Sequence, residues 1–345
     1  MYKFLLTGFM ALFTHCALAD LIILQYHHVA DDTPAVTSIS PAQFRKHLQL
    51  LEDEGMQVVS LPDAIAALKN GQQLPPRSVA ITFDDAYGSI YQNAFPMLAK
   101  RNWPFTIFVN PGPVDRGLPD IISWDQLREM QASGATIANH TMEHPYLIER
   151  PQGMSLEQWM QQEVVQADER IQAEMGTSYR FLAYPYGEYS LEIADWLAQH
   201  DYTAFGQQSG PAGIDSWWQS IPRFPAAGQY ANIDTLKGKL KTLAFNTGNA
   251  ASEEPALGRQ NPPSYTLSFQ SDDVKLDALQ CYASGEGRIE HTLDHQSGTA
   301  TLKTRATKAI TAGRGRYNCT APSKSQPGYF YWHSQLWINT SVENR

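Results

Sequence analysis

Cysteine is scarce in this 345-residue chain, with three residues at positions 16, 281 and 319. No run rich in lysine and arginine occurs, which removes the electrostatic footprint of a nucleic-acid binder. Beyond the first nineteen residues no apolar stretch approaches the length of a transmembrane helix, and no internal repeat is present. Positive charge is itself in short supply: 26 Lys and Arg stand against 35 Asp and Glu, a formal net charge of −9. Such a balance accommodates a neutral or partly cationic substrate most easily. What is plentiful is apolar surface. At 43% hydrophobic and 11% aromatic residues the chain can fill a full core, and its length allows one large domain or a large one with a small companion.

The N-terminus differs from the rest. Lys3 is the one charge among the first nineteen residues, an apolar run covers Phe4 to Phe13, and Ala17-Leu18-Ala19 offers small residues at cleavage spacing. This pattern is a secretory signal peptide cut after Ala19, and its apolar run is too short to span a bilayer comfortably. Lipidation at Cys16 is disfavoured by His15 ahead of it, and no transmembrane segment is expected once the leader is gone. Its removal leaves 25 basic against 35 acidic residues, a net charge of −10, and a single pair of cysteines, Cys281 and Cys319. In an oxidising compartment that pair is expected to form a disulfide. The protein is thus expected to be periplasmic or secreted.

From residue 20 the pattern alternates. Strands are expected at Leu21–Tyr26, Val58-Val59, Val79–Phe83, Phe105–Val109, Ala135–Ala138, Arg180–Tyr184 and Tyr202–Phe205. Helices are expected at 41–54 (capped by Ser40), 62–69, 90–101, 123–131, 155–175 (a capping-box start at Ser155 and Gln158), 191–199 and 233–243. Repeated strand–helix pairs mean a parallel α/β domain, either a barrel or a doubly wound sheet. Residues 246–263 read as a linker rich in Gly, Ala, Glu and Pro. Beyond it apolar residues alternate (Tyr265, Leu267, Phe269; Ala300, Leu302; Phe330, Trp332), so 264–345 is read as a small β-sandwich-like domain.

Two stretches carry chemistry. Val79 to Phe83 is a run of strand formers that ends in Asp84 and Asp85, at the strand lip where active sites of parallel α/β folds collect. His140-Thr141-Met142-Glu143-His144 places two imidazoles four residues apart, able to share one face of a helical turn and, with a carboxylate, to make a three-ligand metal site. Taken singly, an Asp pair is more often a helix cap and a His-x-x-x-His more often structural. Taken together they point to a secreted metal-dependent hydrolase.

Thr82-Phe83-Asp84-Asp85, the His140–His144 stretch, and Arg180 with Tyr184-Pro185-Tyr186-Gly187 resemble the first three motifs of the polysaccharide deacetylases, the NodB-homology or carbohydrate esterase 4 family. Gln25-Tyr26-His27-His28 narrows the likeness to the circularly permuted exopolysaccharide branch, which includes the poly-β-1,6-N-acetylglucosamine deacetylases. The resemblance covers about residues 20–245. It implies a distorted, incomplete (β/α) barrel and hydrolysis of a linear amide, the removal of N-acetyl groups from a polysaccharide or oligosaccharide containing N-acetylglucosamine. One divalent metal would be held by Asp85, His140 and His144. Two His and one Asp suit zinc, and nickel, cobalt or iron also fit.

Asp84 would then be the general base, and the Tyr186 backbone N–H with the metal would form the oxyanion hole. The family's general acid is a histidine of a late Leu-x-x-His motif, absent here after Phe224; in the permuted branch its equivalent lies on the first strand, which makes His27 the acid ahead of His28. Arg180 and Arg223 are expected to buttress Asp84. Trp124, Trp217 or Trp218 are candidates for a sugar-stacking wall, and Glu143, Glu188 and His291 or His295 are read as surface residues. An O-acetyl esterase and a non-catalytic carbohydrate-binding protein are the alternatives. A retaining glycosidase is disfavoured, because it needs carboxyls about 5–5.5 Å apart across a sugar and adjacent strand residues point apart.

Overall fold

The computed structural model describes residues 20–343, so the expected leader and its cleavage site lie outside the described residues. The chain opens with β1 (Ile22–Tyr26), the short strands β2 (His28–Val29) and β3 (Ser38–Ile39), and α1 (Pro41–Asp53). Next come β4 (Gln57–Val58), α2 (Leu61–Lys69), β5 (Ser78–Asp84), a π turn at Ile90–Ala94, α3 (Phe95–Ala99) and β6 (Phe105–Val109). Then follow α4 (Pro111–Asp115), α5 (Trp124–Ala132), β7 (Ala135–Asn139), α6 (Leu156–Met160) and α7 (Gln166–Met175). The layer finishes with β8 (Phe181–Ala183), α8 (Leu191–Gln199), β9 (Thr203–Phe205), β10 (Phe224–Pro225) and α9 (Ile233–Lys239).

The strands form one parallel sheet in the order β10-β1-β5-β6-β7-β8-β9, with β4 beside β5. It curls into a half-barrel whose edge strands β9 and β10 do not pair. An isolated bridge, Phe205 to Ile221, and a few backbone hydrogen bonds such as Arg223 N–H to the Gln208 carbonyl span that gap. Every residue of β5 is buried, as expected of a central parallel strand covered on both faces.

Helix starts follow the sequence closely. Ser40 with Gln43, Ser123 with Gln126 and Ser155 with Gln158 each close a reciprocal capping box. The expected single helix at 155–175 is instead interrupted by a π turn at Gln161–Val165. There the Glu163 carbonyl accepts the Met142 N–H at 2.8 Å, and its carboxylate accepts the Glu143 N–H at 3.1 Å. The extra residue in the turn brings Glu163 to the histidine loop, a use typical of π insertions.

The last expected helix is shorter than its apolar pattern suggested. It stops at Lys239, and Thr242–Ala244 becomes β11, a strand of the second region. That region comprises β12 (Ser264–Gln270), β13 (Gln280–Ala283), β14 (Gly287–Ile289), β15 (His291–Gln296), β16 (Thr299–Arg305), β17 (Arg314–Pro322) and β18 (Phe330–Ile338). Two sheets, β11-β18-β17-β13-β14 and β12-β16-β15, face each other over Tyr265, Leu267, Phe269, Leu302, Tyr317 and Trp337. Alternation does the sorting: odd residues of β17 from Gly315 to Ala321 are buried, and the even ones share the opposite face, from which Arg314 and Arg316 reach the parallel-sheet domain.

The two layers share apolar contacts. Trp332 meets Phe224 edge-on at 5.6 Å, and Leu336 and Ile338 pack in a cluster with Tyr184, Tyr189 and Trp196. No helix among the described residues is long and apolar enough to cross a membrane.

The disulfide joins Cys281 and Cys319, paired residues of neighbouring strands β13 and β17. With the two cysteines 38 positions apart in sequence, the loop-entropy account assigns the bond about 3–4 kcal/mol through restraint of the unfolded chain. Replacing both cysteines with serine is expected to lower unfolding stability by about 2–4 kcal/mol. Urea titration would read this as a lower midpoint at unchanged slope, and an unmoved midpoint would contradict it.

Candidate active site

Asp84 ends β5 with its side chain fully buried, which no carboxylate tolerates without partners. Arg223, equally buried, grips it with two parallel bonds: Nη1 to Oδ1 at 2.7 Å and Nη2 to Oδ2 at 2.9 Å. Gln25 of β1 donates a third, Nε2 to Oδ2 at 2.7 Å. Arg223 in turn donates from Nε to the Gly206 carbonyl and lies over the Phe108 ring. Burial pushes the Asp84 pKa up, but Arg223 and then His140 outweigh it and hold the group at about 2. Asp84 is therefore a carboxylate throughout the neutral range. Of its four acceptor positions three are taken, and one remains on Oδ1.

Asp85 leaves the strand in a left-handed turn, with φ of 72° and Ala86 following at 53°. Its Oδ1 lies 3.2 Å from His140 Nε2 and 3.3 Å from His144 Nε2. The histidines are not on a helix, contrary to the sequence expectation. His140 follows the end of β7, and the loop then turns through positive φ at Thr141 (70°) and His144 (58°). Side chains pay out this loop's shape in hydrogen bonds. Asn139 Oδ1 accepts the Thr141 N–H, Asn110 donates to the His140 and Thr141 carbonyls, and Thr141 Oγ1 accepts the His144 N–H.

Protonation is set by the same neighbours. His140 Nδ1 lies 2.8 Å from the Ala183 carbonyl, which can only accept, so Nδ1 carries a proton and Nε2 is the ring atom turned to Asp85. Burial and then His140 lower the His144 pKa to about 4, keeping that ring neutral, whereas at His140 burial is outweighed by Asp85 and Asp84, which raise the pKa. Asp85 Oδ1 and His140 Nε2 are buried and lack any hydrogen-bond partner. The ligand atoms of Asp85, His140 and His144 all lie within 4.8 Å of one another. Two imidazoles and a carboxylate with converging ligand atoms fit a divalent cation in donor type.

His27 and Tyr186 reach the same groove. His27 Nε2 is 4.0 Å from Asp84 Oδ2, whereas His28 is buried and stacked on Tyr87 at 3.6 Å. Tyr186 sits at φ 60° in a tight turn, its ring edge-on to His144 at 4.5 Å and stacked on Tyr146. Gly187 follows at φ 73°, where a Cβ would collide with Gln207. Positive φ at Asp85, Ala86, Thr141, His144 and Tyr186 gathers strained backbone at one place, a habit of functional sites.

Arg180 is elsewhere. It donates to the His200 carbonyl and stacks on Tyr202, so Arg223 alone does the buttressing expected of both arginines. Lying outside the strand at φ 49°, Arg180 is turned toward the far end of the sheet. The tryptophans are also elsewhere: Trp124 bonds Asp115, Trp217 packs near Tyr189, and Trp218 lies under Lys69. Aromatic lining of the groove comes instead from Tyr87, Tyr186 and Tyr230. Glu188, expected at the surface, is fully buried and bound by Arg314 of β17.

Sequence reasoning missed Gln25, Tyr87 and Asn110. Gln25 had a weak signal, a polar residue inside an apolar strand at the register of Thr82. The arginines of β17 had none, because their distance along the chain hides their proximity to the groove.

Breaking the Arg223–Asp84 pair from one side leaves a buried charge. Arg223→Ala is expected to cost about 3–5 kcal/mol in urea unfolding, with Asp84→Leu/Arg223→Met recovering most of it. Because the folded pKa of Asp84 lies below the unfolded value of about 3.9, the pair stabilises fully above about pH 4. That contribution is lost as pH falls toward 2. A wild-type acid-unfolding curve no steeper than that of the double variant would contradict it.

Residues 71–205 match the family model for polysaccharide deacetylase. Among curated relatives, the poly-β-1,6-N-acetyl-D-glucosamine N-deacetylase of Staphylococcus aureus (strain MRSA252) is 29% identical over 157 residues, 44% of this chain and 54% of that protein. Its namesake in Escherichia coli (strain K12) is 28% identical over 145 residues, 37% of this chain and 21% of that one. The chain thus spans about half or less of the length of these two relatives. In fold it is similar to IcaB from Ammonifex degensii, with TM-score 0.56 and 26% identity over 64% of this chain and 97% of that one. The sequence match and the shared half-barrel together make residues 71–205 similar to the polysaccharide deacetylase domain.

Proposed function

We propose that the protein is a metal-dependent N-deacetylase that hydrolyses the acetamide of N-acetylglucosamine units in a polysaccharide outside the cytoplasm. One observation carries the reading: buried, partnerless lone pairs on Asp85 and His140 converge beside an ionised Asp84 in an open groove. A purely structural role would leave those atoms costing desolvation for nothing. The names of the relatives supply the substrate class, and the disulfide supports export.

Asp85, His140 and His144 would hold the metal, zinc being the first choice for this donor set and nickel, cobalt or iron also compatible. When bound, it supplies Lewis-acid polarisation of the acetyl carbonyl and acidifies the attacking water, help that a base as weak as Asp84 requires. The remaining acceptor position on Asp84 takes the water's proton, while Arg223 and Gln25 keep the carboxylate from turning away. The Tyr186 backbone N–H donates to the carbonyl oxygen as negative charge builds on it. His27 gives a proton to the departing amine, without which the C–N bond does not break. Its position 4.0 Å from Asp84 suits a proton relay across the groove.

Acetate release from β-1,4- and β-1,6-linked N-acetylglucosamine oligomers tests this. Chelator treatment is expected to abolish release and zinc or cobalt to restore it, with one metal bound per chain by calorimetry and none in His140→Ala. Asp84→Asn and His27→Ala are each expected to lower kcat by about 10²–10⁴. On an aryl or alkyl acetate ester the His27→Ala loss should shrink, since an oxygen leaving group needs less protonation. Metal bound at one equivalent with no acetate released from any amide would overturn the amidase reading in favour of O-acetyl esters.

A further inference from the structure

The groove over the metal-binding cluster has two walls from different domains. His27, Asp85, His144, Tyr186 and Tyr230 line it from the half-barrel side, and Arg314 and Arg316 of β17 line it from the sandwich. Strand alternation explains the second pair: Gly315 and Tyr317 go into the sandwich core, so Arg314 and Arg316 share the opposite face.

The two arginines differ in their partners. Arg314 is compensated: its Nε donates to the buried Glu188 carboxylate at 2.8 Å, and its guanidinium lies 5.2 Å over the Tyr186 ring. Arg316 makes no ion pair among the described residues, and its Nε is buried without a hydrogen-bond partner. Burial lowers its pKa, the Tyr230 hydroxyl offsets that, and Arg314 adds repulsion. Behind Tyr230 lies Lys239, almost fully buried, bonded to the Pro225 carbonyl and likewise without an ion pair among the described residues. Burial and then Arg316 push the Lys239 pKa down to about 8.

Two adjacent cations without a carboxylate are unexpected in a chain of net charge −9. Desolvating them is unfavourable until an anion arrives. Arginine is also the side chain whose planar fork matches a carboxylate with two bonds. We propose that the sandwich domain, through Arg316, provides a subsite for a carboxylate on a sugar ring flanking the reacting N-acetyl unit, so that the substrate is an acidic polysaccharide. This rests on the deacetylase reading of the groove and reverses the neutral or cationic preference that net charge suggests, since net charge averages over a surface that the substrate does not touch.

The test compares acetate release from three tetrasaccharides: β-1,4 N-acetylglucosamine, β-1,6 N-acetylglucosamine, and a hyaluronan tetramer in which glucuronate alternates with N-acetylglucosamine. Wild type, Arg316→Ala and Arg316→Lys would be assayed at low and high salt, with thermal unfolding to confirm folding. Wild type is expected to favour the acidic tetramer at least tenfold in kcat/KM. Arg316→Ala should erase that preference through KM, Arg316→Lys should keep part of it, and salt should weaken it in wild type. Equal use of acidic and neutral tetramers by wild type, or a preference that survives in Arg316→Ala, overturns the proposal.

A second arm separates it from the reading beneath. Calorimetric binding of the hyaluronan and β-1,4 tetramers to chelator-treated protein needs no turnover. If no tetramer releases acetate, the deacetylase reading falls. The subsite then stands only if wild type binds the acidic tetramer at least tenfold more tightly than the neutral one and Arg316→Ala does not.

Discussion

The structure depends on one buried ion pair. Asp84 closes the central strand, Arg223 sits at the seam between the sheet's two edges, and 139 residues separate them. Each charge alone would be untenable at zero exposure, so the pair commits the chain to bring β5 and the segment before β10 together. Arg223 also reaches across the gap between β9 and β10, its Nε donating to the Gly206 carbonyl, while the bidentate contact ties the same residue to the central strand. The same contact keeps a carboxylate ionised beside Asp85, so the closure of the fold and the readiness of the site are one event.

Around that pair the backbone is bent into conformations that ordinary residues avoid. Asp85 and Ala86, Thr141 and His144, and Tyr186 all take positive φ within reach of one another. Their neighbours hold them there: Asn110 and Asn139 by hydrogen bonds to the histidine loop, Glu163 from its π turn, and Gln207 against Gly187. The consequence is a convergent set of ligand atoms from Asp85, His140 and His144, with the His140 ring held by the Ala183 carbonyl.

The sandwich domain is part of this arrangement. Its five-stranded sheet lays Trp332, Leu336 and Ile338 against the half-barrel, and β11 enters that sheet directly after α9. With the domains locked by apolar contact, Arg314 can reach Glu188 and the Tyr186 ring, and Arg316 can face the groove. A region legible in the sequence only as alternating apolar residues thus shapes one wall of the groove.

By itself the sequence determined the element types, because alternation, caps and buried runs are local: the strand ending at Asp84, the Ser-x-x-Gln helix starts, the helix at Leu191–Gln199, and the period-two strands after residue 264. It also singled out Asp84, Asp85, His140 and His144, since ordered motifs at strand ends survive without knowledge of packing. Tertiary structure decided whatever depends on contacts distant in the chain. It took Arg223 over Arg180 as the partner of Asp84, buried Glu188, replaced the expected tryptophan wall with tyrosines, and aimed Arg316 into the groove. An arginine's partner is set by which strands meet, and no local pattern carries that information.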